Sequence, residues 1–89
     1  MIAALGYVAS IASMAWAVPC DFEPVKQQID IVLDQDKEMS ARFRRAFAEG
    51  SDSLAVLERL VSQDMREKID ICRFHVAEYL SKRGFPPGH

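Results

Sequence analysis

No charged residue occurs before Asp21, and no glycine or proline interrupts the stretch between Asp52 and Arg83. The chain of 89 residues has only four glycines, two cysteines, two histidines and one tryptophan. Each scarcity removes a class of protein. The length is too short for a Rossmann domain, a barrel or a multidomain enzyme. Gly-x-Gly-x-x-Gly, P-loop, Gly-x-Ser-x-Gly and His-Glu-x-x-His patterns are all missing, so no familiar phosphate cradle, nucleophile elbow or zinc helix is encoded. A net charge of −2 gives no electrostatic footprint for nucleic acid, and none is expected as a partner. Strand-like alternation, internal repeats and low-complexity segments are lacking as well.

The residues that are present divide at position 20. The first 20 residues hold 16 apolar side chains, whereas all 24 charges fall in the other 69, of which 28 are apolar. Met1 to Val18 forms an apolar run broken only by Gly6, Ser10 and Ser13. A run of this kind at the N-terminus reads as an export signal. Ala15-Trp16-Ala17 supplies the small-x-small pattern that a signal peptidase accepts, so residues 1–17 are expected to be removed. No lysine or arginine precedes the run, leaving the amino terminus as its only positive charge. The competing reading is a retained membrane anchor, since 18 helical residues reach about 27 Å, just short of the hydrocarbon core. A lipoprotein signal fits less well, because Pro19 stands where glycine or alanine is wanted. A buried N-terminal helix is the plainest alternative.

The body, residues 18–89, is expected to be one small all-α domain. Pro24 suits the first turn of a helix, where its missing N–H leaves nothing unsatisfied. Val25, Ile29, Val32, Leu33, Met39, Phe43, Ala46 and Phe47 then recur at three- and four-residue steps, predicting a helix over 24–49. Asp36 stands where that register asks for an apolar residue, and Gly50 is expected to close the helix with a positive φ. Ser51-Asp52-Ser53 offers caps for a second helix over 52–83. Its stripe is Leu54, Leu57, Val61, Met65, Ile69, Cys72, Val76 and Leu80, widened by Leu60 and Tyr79. The result is an antiparallel two-helix hairpin, or a three-helix bundle if the second helix bends near Ser62-Gln63-Asp64. Gly84, Pro86 and Pro87 end it, and the tail 84–89 is expected to be irregular and mobile.

Such a hairpin buries one stripe per helix, and below about 80 residues a core of that kind supplies only about 3–5 kcal/mol. Reinforcement is therefore expected from a disulfide or a partner subunit. Cys20 and Cys72 are the disulfide candidates, an even pair in an oxidising compartment. A turn centred near residue 50 sets residue i opposite about 101 − i, which places Cys72 against Ile29, so residues 20–24 must fold back for the bridge to close.

Chemistry-bearing residues are few. Cys72 and His75 lie three apart on one helix face and form half a metal site, with His89 as a further donor, but two more ligands are needed. No paired carboxylates, nucleophile and base, or oxyanion donors assemble, so no enzyme and no cofactor are expected. Asp30, Asp34, Asp36 and Glu38 read as a solvated acidic face. Arg42, Arg44 and Arg45 complement the helix dipole or meet an anionic partner. Phe74, Tyr79 and Phe85 do not fit a narrow seam and mark a candidate interaction surface with the Phe85-Pro86-Pro87 tail, the alternative being that the tail folds back to cover the hairpin end. The functional expectation is a small exported helical protein, periplasmic or secreted, acting as a non-enzymatic interaction or structural module with a protein partner or a second copy. The alternatives are a metal- or redox-responsive periplasmic protein using Cys72 and His75, and a membrane-anchored accessory subunit if residues 1–18 stay attached.

Overall fold

In a computed structural model of the chain, residues 19–50 and 52–88 are described. The expected signal at 1–17 and the donor His89 lie outside them. The described chain is all-helical: α1 (Phe22–Asp30), a π-helical turn (Ile31–Gln35), α2 (Lys37–Gly50), α3 (Ser53–Leu60), α4 (Gln63–Ile71) and α5 (Arg73–Lys82). Among the described residues no helix is long and apolar enough to cross a membrane.

The single helix expected over 24–49 is broken at Asp36, and its out-of-register aspartate is the reason. Asp36 is extended, with φ −95° and ψ 107°, and its carboxylate accepts from the Met39 amide at 3.0 Å. It caps α2, the work for which aspartate suits the position that a core-facing residue would otherwise take. Upstream the ladder widens, the Asp36 amide reaching Ile31 O at 2.9 Å. The Leu33 carbonyl is left to side chains instead: Ser40 Oγ donates to it at 2.7 Å and Arg44 Nη2 at 3.1 Å. A widened turn exposes a carbonyl in this way, and here both new partners come from the next helix.

The second expected helix, 52–83, is likewise divided. The chain turns at Val61–Ser62, where Ser62 Oγ accepts from the Met65 amide at 3.2 Å and starts α4. It turns again at Cys72. Asp52 caps α3 by accepting from the Ala55 amide at 3.3 Å. Gly50 belongs to α2, and positive φ is found at Gly84 instead, at +91°. There Gly84 N donates to Ser81 O at 3.1 Å and Phe85 N to Leu80 O at 2.8 Å. These two bonds form a Schellman closure, which needs the left-handed conformation that glycine takes without strain.

The extra turn at Val61–Ser62 reverses the chain direction, so the antiparallel register of residue i against about 101 − i is not found. Cys20 meets Cys72, Phe22 meets His75 and Tyr79, and Asp34 meets Arg83. Partners rise together along both segments, so α5 runs parallel to α1. In contrast α3 runs antiparallel to the α4–α5 segment: Ser53 bonds Phe85, whereas Glu58 bonds Arg66. The core between them is Val25, Ile29, Val32, Leu33, Phe43, Leu54, Val56, Leu57, Ile69, Cys72, Val76 and Leu80. Both stripes read from the sequence supply this core. Val56 joins it from outside the stripe because α3 packs against α2 on one side and α5 on the other.

Candidate functional site

The junction between α4 and α5 carries the most distinctive chemistry. Cys20, just before α1, and Cys72, between α4 and α5, are joined by a disulfide with Cα atoms 5.0 Å apart and 52 residues of separation. The parallel course of α1 and α5 lets Cys20 reach Cys72 without residues 20–24 folding back. Cys72 is buried and Cys20 half-buried. Beside the bridge lies an open cleft of about 160 Å³, walled by Pro19, Asp21 and Pro24 on one side and Lys68, Ile71 and Cys72 on the other.

The bridge removes the thiolate that a Cys72–His75 metal site requires. His75 is exposed and sits 5.7 Å from the Phe22 ring, between ring centroids. Among the described residues no group of three histidine, cysteine or carboxylate side chains is placed to hold a metal ion.

The three aromatics expected to share an interaction surface separate. Phe74 is 91% exposed and Ile71 49% exposed, on either side of the Cys72 turn. Phe74 also lines an open, largely apolar groove of about 340 Å³ with Leu54, Arg73, Ala77, Pro87 and Gly88. Tyr79 is half-buried and donates its hydroxyl to Asp30. Phe85 is half-buried instead: its ring lies edge-on to Phe43 at 5.1 Å and to Phe47 at 5.3 Å, with the Arg44 guanidinium 5.0 Å above it. The tail expected to be mobile is therefore anchored, as in the alternative in which it folds back over the helices. Ser53 Oγ, fully buried, donates to Phe85 O at 2.6 Å, and Gly88 N reaches Asp52 Oδ1 at 3.4 Å.

The arginines expected to form one basic cluster also have separate roles. Arg44 is exposed but tied down, donating to Ser40 Oγ at 3.1 Å and to Leu33 O, with Asp34 at 3.9 Å. Arg42 pairs along the helix with Glu38 at 3.8 Å, and Arg45 is exposed.

A polar clamp across α1 and α5 has no counterpart in the sequence reading. Arg83 Nη2 donates to Asp34 at 2.6 Å, and Arg83 Nη1 to Asp30 at 3.2 Å and to the Tyr79 hydroxyl at 3.3 Å. Lys26 joins Asp30 at 3.4 Å and lies 5.5 Å from the Tyr79 ring. Asp30 beside it raises the Lys26 ammonium above the ordinary lysine range. The Asp34 hydrogen bond, more than any other influence, raises Arg83 further above its ordinary value. Thus, while Asp34, Asp36 and Glu38 remain on an exposed acidic face, Asp30 and Asp34 centre a cross-helix ion network. No sequence signal points to it, because the pairing depends on the parallel register.

No protein-family model, curated protein or solved structure matches this chain.

Proposed function

We propose that this chain is a small exported helical protein, periplasmic or secreted, that acts without catalysis as a binding module for a protein partner. The observation that carries the reading is Phe74, an aromatic side chain 91% exposed beside the half-exposed Ile71. A bare aromatic costs solubility and is useful where another protein covers it, since aromatic anchors dominate binding energy at interfaces. The disulfide ties down the helix junction on which Phe74 stands, so the anchor is presented in a fixed geometry. Export accords with the apolar N-terminal segment, with Ala15-Trp16-Ala17, and with a disulfide in a compartment where bridges persist. In this reading the mature chain begins at Val18.

Two measurements test it. Mass spectrometry of the protein from its native host reads processing: the proposal expects loss of residues 1–17, and an unprocessed chain retained in the membrane fraction favours an anchored accessory subunit instead. A photo-crosslinking residue at position 74, with Arg45 as control site, reads contact in the host. A discrete heterologous product from position 74 alone supports the proposal. A dimer of this chain assigns the face to self-association, and products from both positions or neither contradict an aromatic anchor.

A further inference from the structure

The reversal between α3 and α4 is made by two residues in a stretch whose pattern asks for a straight helix. Val61 (φ −101°, ψ 165°) and Ser62 (φ −65°, ψ 162°) are both extended. Yet no glycine or proline lies between Asp52 and Arg83, and Leu54, Leu57, Val61, Met65 and Ile69 keep three- and four-residue steps through the turn. In a continuous helix the Glu58 carbonyl accepts from the Ser62 amide; here it accepts from Arg66 Nε at 3.0 Å instead. The local device for the break is the Ser62 cap on the Met65 amide. The rest of the hold comes from the arm formed by α4, α5 and the tail: Cys72 meets Cys20, Arg83 meets Asp30 and Asp34, and Phe85 meets Ser53, Phe43 and Phe47. Every one of these partners precedes the hinge in sequence. A second copy of the chain presents the same partners in the same geometry.

We infer that the chain can exchange this arm with a second copy, α3 and α4 joining into one helix over 53–71 while each arm packs on the other copy's α1, α2 and α3. The arm then keeps its contacts, and new structure arises only at Val61 and Ser62. Straightening loses the Ser62 cap and the Arg66 bond and restores backbone bonds through the hinge, so chain concentration decides between the two forms. The disulfide sets the time for exchange. Once Cys20 and Cys72 are joined within one chain the arm is tied to α1, so exchange belongs to chains that meet before the bridge closes. Closing each bridge removes two electrons and two protons from two thiols, and a disulfide oxidant such as oxidised glutathione takes them up to become two thiols. A chain folding alone closes one internal bridge and gives the monomer described; two exchanged chains close two bridges between them. The inference rests on the hinge, not on Phe74 or export, so it stands or falls separately from the proposed binding role.

The test uses the protein as isolated from its host, reduced, unfolded and refolded with oxidised glutathione as an equal mixture of isotopically light and heavy chains. Light scattering reads the mass, and peptide mapping without reduction reads which chains each bridge joins. Dilute refolding is expected to give monomer. Concentrated refolding is expected to give a dimer in which about half of the Cys20–Cys72 bridges join a light to a heavy chain, the statistical value for exchange between two copies. Ser62→Ala and Ser62→Pro then isolate the hinge. Both lose the cap, but alanine favours the straight helix, whereas proline fits the closed φ of −65° and blocks the helix. Ser62→Ala raises the dimer share and Ser62→Pro removes the dimer. Monomer at every concentration, a dimer whose bridges stay within single chains, or a dimer that persists in Ser62→Pro overturns the inference.

Discussion

The two ends of α1 are fastened to the rest of the protein by different physics. At its start a covalent bond joins Cys20 to Cys72 across 52 residues. At and just beyond its end, Asp30 and Asp34 are gripped by Arg83, and the aromatic cluster of Phe43, Phe47 and Phe85 closes the same end of the fold. The covalent fastening acts mainly by restricting the unfolded chain, so it is insensitive to salt and lost to reductant. The polar clamp acts in the folded state between partly exposed groups, so it responds to salt and pH. A chain with a small core combines both, because neither its apolar burial nor its surface ion pairs alone give a wide margin.

This contrast can be broken from either side. The largest effect is expected from Cys20→Ser with Cys72→Ser. Removing the cross-link costs about 4 kcal/mol on the chain-entropy relation, read as a lower urea midpoint. Adding dithiothreitol to the unmodified protein then moves the midpoint in the same direction, whereas added salt leaves the covalent contribution unchanged. Next comes Phe85→Ala, which opens the half-buried aromatic cluster and is expected to cost about 2–3 kcal/mol in the same assay. Its companion Ser53→Ala removes the buried donor to the Phe85 carbonyl and is expected to cost about 1 kcal/mol. Arg83→Met keeps much of the stem and loses the charge. It is expected to cost about 1 kcal/mol at low ionic strength, with much of the difference vanishing at about 1 M salt.

The smallest effect is in pH. Lys26 is raised by Asp30 in the folded protein, so its contribution is fully present below the ordinary lysine value of 10.5 and is lost as pH rises through the higher folded value. Thermal melts from about pH 9 to 12 should show a fall in stability that is shallower in Lys26→Met. Equal slopes for the two proteins would remove Lys26 from the clamp.

Much of the helical content and nearly all of the core is readable as periodicity. Val25, Ile29, Val32, Leu33 and Phe43 from the first stripe, and Leu54, Leu57, Ile69, Cys72, Val76 and Leu80 from the second, are all buried. Periodicity reports a face, not the continuity of a helix, so it carries through Asp36 and Cys72, where the helices stop. The aspartate that spoils the register is itself the signal of a break, because it caps the next helix. Ser62 is a similar signal, at the place where the three-helix alternative puts its bend. Direction is harder to read. With one reversal α5 runs against α1; with two it runs alongside, and the second reversal needs only Val61 and Ser62. The Cys20–Cys72 approach, the Arg83 clamp and the packing of Phe85 on Phe43 and Phe47 all stem from that single difference, and spacing alone expresses none of them. The exposure of Phe74 is legible because it falls off both stripes.

The bond between Cys20 and Cys72 is the point on which the account of the fold most depends. Peptide mapping of the protein from its native host, digested after thiol blocking and without reduction, tests it. The predicted result is one cross-linked peptide pair joining Cys20 and Cys72 within a monomer, with no blocked cysteine. Two blocked cysteines, or a bridge between two chains, would contradict it.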